Sequence, residues 1–181
     1  ITALTGTDPG PRTAGAPPSK PPIDPDVALR ATGAWHLTTS AGDVTIGLEA
    51  TVAPWHVATI ITLTRGGYYD GLLFHRVVPD FVVQGGDPTG TGWGGPGFTL
   101  PSEISASLEA MPIDYGAGAI GIADAGKDTG GSQFFIMHAR APHLEGRYTW
   151  FGSCDTTGAA GQALDLLFVG DKIEKVTVDV R

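Results

Sequence analysis

The chain has 181 residues, with 11 Lys+Arg against 19 Asp+Glu for a net charge of -8, a length that fits one domain with a substantial core rather than two. The acidic balance, with no basic cluster interleaved with aromatics, argues against nucleic acid and anionic membrane as partners, and no apolar run approaches the roughly 20 residues needed to cross a bilayer. The one cysteine, Cys154, excludes an internal disulfide and a thiolate metal cluster but fits an oxidising compartment as well as a reducing one.

Residues 1–33 carry Pro9, Pro11, Pro17, Pro18, Pro21, Pro22 and Pro25, half of the 14 prolines. With few large apolar residues, the segment is expected to be a flexible, partly polyproline-like linker, leaving 34–181 as the folded domain. The start at Ile1 rather than Met, the proline-rich lead and the sparse cysteine lean toward an exported protein, periplasmic or membrane-tethered.

From Ala34 the pattern changes. Trp35 and Leu37, then Val44, Ile46 and Leu48, recur with period two around Ser40-Ala41-Gly42-Asp43, which predicts an opening β-hairpin. Pro54 begins a short amphipathic helix where its missing N–H costs nothing; Val57, Ile60, Ile61 and Thr64 follow on one face, and Gly66-Gly67 ends it. Short strand-like runs come next, at 72–78, 81–84, 119–123, 133–138 and 148–152, with a second helix around 163–168. Many strands, few helices and no βα alternation indicate an antiparallel barrel or sandwich, and a closed barrel removes the edges that a small domain must otherwise protect.

The run FHRVVPDFVVQGGD, 74–87, sets an arginine among strand residues. A hairpin turning near Pro79-Asp80 pairs position 76 with 84 and 78 with 82, so Arg76, Val78, Val82 and Gln84 share one face with Phe81 close by. Its predicted neighbour is a glutamine, although charged side chains in apolar surroundings usually have a charged partner. GGSQFFIMHA, 130–139, puts Gln133 and Phe135 on one face and Phe134 and Ile136 on the other. HLEGRYTWFG, 143–152, adds Leu144 and Tyr148.

These segments, together with GAIGIADAGKDTGGSQFFIMH, stand in the order and approximate spacing of the cyclophilin family of peptidyl-prolyl isomerases, which the chain resembles from about Ala34 to its end. The resemblance implies a mainly β fold, a closed eight-stranded antiparallel barrel capped by two short helices. It implies that Arg76 is catalytic, that Phe81, Val82, Phe135 and Leu144 form a proline pocket, and that Gln84 and Gln133 lie beside them. Ala123, Asp124 and Ala125 would follow the groove that holds the substrate backbone. Three positions depart from the commonest eukaryotic pattern: Asp124 for asparagine, His143 for a tryptophan associated with cyclosporin binding, and Tyr148 for a histidine at the pocket wall. The partners so implied are proline-containing peptides and unfolded proteins, with cyclosporin at weakened affinity; the chain is expected to be a monomer.

Rotation about an X-Pro amide must cross a barrier of ~18–20 kcal/mol because resonance stiffens the C–N bond. No covalent bond need be made or broken, so no metal, cofactor or general base is required. A donor that binds the twisted amide better than the planar one suffices, gaining tenfold in rate for each ~1.4 kcal/mol. A non-catalytic proline-peptide binding module or chaperone on the same fold is the competing expectation.

Other signals are weaker. GTGWGG (90–95) and GAGAIG (116–121) match a dinucleotide-loop string but lack the strand before and helix after that such a loop needs. The five histidines form no metal-ligand spacing, and Ser132 lies outside a nucleophile elbow.

Overall fold

The computed structural model describes residues 32–104 and 113–180. The linker expected over 1–33 lies outside the described residues except for Thr32 and Gly33, which already belong to the first strand. Eight strands form one antiparallel sheet: β1 (Thr32–Thr39), β2 (Gly42–Glu49), β3 (Arg76–Val78), β4 (Val82–Gly85), β5 (Ala119–Ile122), β6 (Phe134–Met137), β7 (Trp150–Cys154) and β8 (Ile173–Val180). Helices α1 (Pro54–Arg65) and α2 (Ala159–Leu166) accompany them. The spatial order is β3-β4-β6-β5-β7-β2-β1-β8.

The hairpin read from the period-two pattern is β1–β2, with Trp35 opposite Ile46 and Leu37 opposite Val44. All four are buried. Helix α1 starts at Pro54 as expected and buries Val57, Ile60, Ile61 and Thr64. Its N-terminus has no local side-chain cap. Instead Glu103 reaches in from a distant loop: its carboxylate accepts the N–H groups of Trp55 and His56 at 3.0 and 2.9 Å and meets His56 Nδ1 at 2.5 Å. An anion at a helix N-terminus satisfies otherwise orphaned donors and opposes the helix dipole. The Glu103 N–H in turn donates to Thr149 Oγ1.

The expectation of a closed barrel is corrected. The sheet is a curled half-barrel whose terminal strands, β3 and β8, share no continuous ladder. Their seam is spanned just upstream of both strands by an isolated bridge, Leu73 with Lys172. Four backbone hydrogen bonds surround it: Gly71 N to Ile173 O, Ile173 N to Leu72 O, Phe74 N to Asp171 O, and Gly170 N to Phe74 O. With β3 only three residues long before Pro79, the exposed edge is too short to need full closure. The eighth strand, β8, was absent from the runs identified in the sequence because Glu174, Lys175 and Asp179 interrupt its alternation.

The sheet has two apolar faces. The larger core lies inside the curl, where Trp35, Ile60, Phe74, Val83, Ile120, Phe134, Ile136 and Phe151 meet. Trp35 sits at its centre, edge-on to Tyr69 and Phe134 at centroid distances of 5.2 and 4.9 Å, with its indole N–H donated to Thr64 Oγ1 at 2.7 Å. A second cluster, which includes Val82, Tyr115, Ala119, Phe135, Met137, Leu144 and Trp150, lies on the opposite face. Period-two alternation makes this division: on β6, Phe134 and Ile136 point inward while Phe135 and Met137 point outward. Trp35→Ala should lower unfolding free energy by about 3–5 kcal/mol, as large aromatic truncations do. Urea unfolding followed by far-UV circular dichroism would measure it.

Candidate active site

The β3–β4 hairpin has the register read from the sequence: Arg76 opposite Gln84 and Val78 opposite Val82. Asp80 takes φ 58° at the turn. Gln84 continues across the sheet to Phe135 on β6, which faces Gly121 on β5. A Cβ at Gly121 would collide with the Phe135 ring. Glycine therefore lets Phe135 lie down over the sheet, where it stacks on Tyr115 at 5.8 Å and meets Tyr148 edge-on at 5.5 Å.

The result is a hollow of about 460 Å³ on the outer face of the sheet, lined by Arg76, Phe81, Val82, Gln84, Ala123, Asp124, Phe135, His143, Leu144 and Tyr148, with Arg147 at its rim. Val82, Phe135 and Leu144 are buried and make an apolar floor. Phe81 is held between two neighbours, the His143 ring stacked at 5.8 Å and the Arg76 guanidinium 5.6 Å from its centroid.

A thread of hydrogen bonds crosses this apolar face. Arg76 Nη1 donates to Gln84 Oε1 at 3.3 Å, Gln84 Nε2 to Gln133 Oε1 at 3.1 Å, and Gln133 Nε2 to the carbonyls of Gly92 and Gly94 at 3.0 and 2.8 Å. Arg76 makes no ion pair among the described residues. The glutamine orients the guanidinium and leaves its charge uncancelled.

Gln133 and Ala125 do not line this hollow; they line a neighbouring one of about 350 Å³ that shares Gln84, Ala123 and Asp124 with it. The backbone between the two is fixed by Ala123 N–H donating to Gln133 O, and the turn that follows by Gly126 N–H on Asp124 Oδ1 and Ala125 N–H on Thr129 Oγ1. Burial raises the Asp124 carboxyl above the usual range, offset only in part by the Gly126 N–H and the nearby His56. Asp87, whose carboxylate accepts the N–H of Gly92 in the wall of the second hollow, behaves oppositely. Burial would raise its carboxyl too, but donors on Thr89, Gly94 and Gly92 outweigh that and hold it below the usual range.

Sequence reasoning missed Tyr115, Arg147 and the loop of 90–97. Arg147 was visible inside HLEGRYTWFG, but a turn has no periodicity to say where a side chain points. Tyr115 stands four residues before β5, whose Gly121 cannot cover the outer face of the sheet, which is a signal that an aromatic must do so.

Residues 35–179 match the family described as cyclophilin type peptidyl-prolyl cis-trans isomerase/CLD. The chain belongs to the cyclophilin family. It is 56% identical over 100 residues to peptidyl-prolyl cis-trans isomerase B of Bacillus subtilis, covering 55% of this chain and 67% of that one. It is 43% identical over 141 residues to a peptidyl-prolyl cis-trans isomerase of Helicobacter pylori, covering 77% and 83% respectively. Among solved structures, a cyclophilin-type isomerase of Cryptosporidium parvum crystallised in the presence of the dipeptide Ala-Pro superposes with a TM-score of 0.71 at 28% identity, over 81% of this chain and 98% of that one.

Two outcomes follow from this cyclophilin's geometry. Gly121→Ala, by lifting the Phe135 ring, should lower kcat/KM on a proline peptide by roughly tenfold, in line with the cost of small misplacements in a positioned site; circular dichroism should show the fold retained. Asp124 has a folded pKa above its unfolded one, so its ionised form is penalised by folding above the folded pKa and the penalty vanishes below the unfolded value. Asp124→Asn should therefore raise the urea midpoint at about pH 7 and leave it unchanged near about pH 3.

Proposed function

We propose that Arg76 carries out the step on which the family's reaction turns, binding the X-Pro amide more strongly when twisted than when planar. The chain is a peptidyl-prolyl cis-trans isomerase by family, and its substrates are proline-containing peptides. As the C–N bond rotates, resonance is lost and the proline nitrogen recovers a localised lone pair, so a hydrogen-bond donor aimed at that region strengthens its hold on the way to the transition state. Arginine side chains are suited to this: always charged, rich in donors and less strongly hydrated than lysine.

The observation that carries this reading is the company Arg76 keeps. Its guanidinium is bonded to the neutral amide of Gln84 and lies against the Phe81 face. A carboxylate in place of Gln84 would cancel the charge the reaction uses. The floor of Val82, Phe135 and Leu144 would take the pyrrolidine ring and exclude water, which strengthens each hydrogen bond made above it. No general base or covalent intermediate enters such a mechanism.

Unfolded chains with accessible prolines are the natural clients of this site, with the enzyme acting as a monomer and nucleic acid excluded by the acidic balance of the chain. His143 stacks on Phe81 where the family pattern has a larger tryptophan, so cyclosporin-type macrocycles should bind with weakened affinity. Burial pushes the Cys154 thiol up to about 11, helped by the nearby Asp155, which keeps it inert in an oxidising compartment; an exported location is compatible with that and is part of the proposal.

Exchange NMR on a short Ala-Pro peptide tests the assignment. Arg76→Ala should lose most of the acceleration, by about a hundredfold or more if the guanidinium supplies some 3 kcal/mol, while the peptide's dissociation constant rises far less. Equal losses in binding and turnover would make Arg76 a binding group. Binding without acceleration by the intact chain would favour a proline-peptide binding module.

A further inference from the structure

Two parts of the first hollow come from one short segment. Leu144 belongs to its floor and His143 stacks on Phe81, and both sit on the 3-10 turn Pro142–Leu144, which has no side-chain cap of its own. So short a turn, with the poorer hydrogen-bond geometry of a 3-10 helix, does little to fix its own position. We propose that Arg140, which lies outside the lining of the hollow, is a positioning residue for isomerisation: its guanidinium forks between Asp114 and Glu145 and sets where the turn stands beside Phe135. The inference rests on the reading of the first hollow as the proline seat.

The fork is short on both arms. Arg140 Nε donates to Asp114 Oδ1 and Nη2 to Glu145 Oε1, each at 2.8 Å. Residues 140 and 145 flank the turn, so the second bond closes it across its base. The first bond ties that base to the residue beside Tyr115, and Tyr115 is the ring on which Phe135 stacks. Turn and floor are thereby joined through one planar group whose donors point in fixed directions, which sets an angle as well as a distance.

The surrounding bonds bring the same two segments together. Ala141 N–H donates to Tyr115 O at 2.9 Å, and Leu144 N–H returns to Ala141 O at 3.0 Å. Further along, the Tyr115 hydroxyl donates to Tyr148 O at 3.0 Å, and the Tyr148 ring meets Phe135 edge-on. These bonds hold the wall at Ala141 and at Tyr148. His143 and Leu144 stand between those points, and the Glu145–Arg140–Asp114 link ties that stretch to the segment of Tyr115.

The weakness of exposed ion pairs sets the size of the effect. Arg140 and Asp114 are both more than half exposed, so loss of the fork leaves the fold standing but lets the turn spend part of its time displaced. The apparent affinity of the seat then falls by the fraction of time the turn is in place. His143 and Leu144 hold the proline ring in the planar and the twisted state alike, so a looser turn raises KM and leaves kcat nearly unchanged. Arg76 favours the twisted state, and its loss falls on kcat instead.

Exchange NMR on capped Ala-Ala-Pro-Phe, a peptide without charge, separates KM from kcat when the peptide concentration is varied. In Arg140→Gln, KM should rise about fivefold, the scale of an exposed charge network lost as a unit, while kcat stays close to that of the intact chain. Arg140→Lys, whose ammonium lacks the planar fork, should fall between the two. Asp114→Asn should raise KM as well and add little when combined with Arg140→Gln, as expected of groups that act through one contact. The ratio of variant to intact KM should shrink toward one in about 0.5 M sodium chloride, where the intact fork is screened. An unchanged KM in Arg140→Gln, a loss confined to kcat, or effects of Arg140→Gln and Asp114→Asn that multiply overturns the proposal. Urea midpoints should stay close to that of the intact chain; were Arg140→Gln to fall well below it, Arg140→Lys and Asp114→Asn make the same comparison. Should the intact chain give no acceleration, the isomerase reading fails instead. Dissociation constants of the same peptide, from chemical-shift titration of labelled protein, then decide the role of Arg140 alone: affinity weaker by about fivefold in Arg140→Gln supports it, and equal affinities overturn it.

Discussion

The site depends on a single run of hydrogen bonds, from the Arg76 guanidinium through the neutral amides of Gln84 and Gln133 to the carbonyls of Gly92 and Gly94. Each amide has a donor end and an acceptor end, so the run has one polarity: Gln133 spends its N–H groups on the loop and offers its oxygen to Gln84, which then has its own oxygen free for Arg76. A carboxylate at either position has no N–H to pass on. The thread would break at that point: at position 133 the loop would lose its anchor, and at position 84 the arginine would be paired with a charge while its link to Gln133 was lost. Glutamine at both positions thus holds the loop that carries Trp93 and the guanidinium in one connected arrangement, with the charge intact.

That thread needs a surface to lie on, and the register of four central strands makes one. Arg76 opposite Gln84, Gln84 opposite Phe135, and Phe135 opposite Gly121 form one row across β3, β4, β6 and β5. A slip of one residue in any pair would turn that row into the inner core. The inner face fixes the register in turn, because Val83, Ile136 and Ile120 form the corresponding inward row and are all buried at 0% exposure. The packing of the core and the placement of the Arg76–Gln84–Phe135 row are therefore a single constraint read from opposite sides of the sheet.

This explains what was legible in the sequence. Period-two alternation with a turn at Pro79-Asp80 gives the Arg76–Gln84 pairing directly, and the same rule separates Phe134 from Phe135. Helix α1 was marked at both ends by Pro54 and Gly66, yet its cap was invisible, since Glu103 lies 48 positions from the Trp55 N–H that it accepts. Closure failed for a related reason. Edge protection argues for some device at the ends of a sheet, but the device here is the bridge of Leu73, inside the strand-like run of 72–78, to Lys172, which lies outside every strand-like run read from the sequence. The second hollow is built by glycines whose backbone, not side chains, shapes the wall, and composition alone does not reveal which carbonyls a glutamine will hold.

The two hollows differ in charge: the first is lined by Arg76, Arg147 and His143 as well as Asp124, the second by Asp124 alone among ionisable side chains of the described residues. A donor that acts on a twisting amide must not be neutralised, so acidic groups must be kept from Arg76. Yet a cleft lined only by cations would favour acidic sequences and be blocked by them, since a substrate carboxylate would pair with the arginine instead of the amide. Asp124 stands at the border, next to a hollow whose described lining has no cation, while the guanidinium is bonded to a neutral amide. Burial raises the Asp124 carboxyl, a stability loss located between the two hollows.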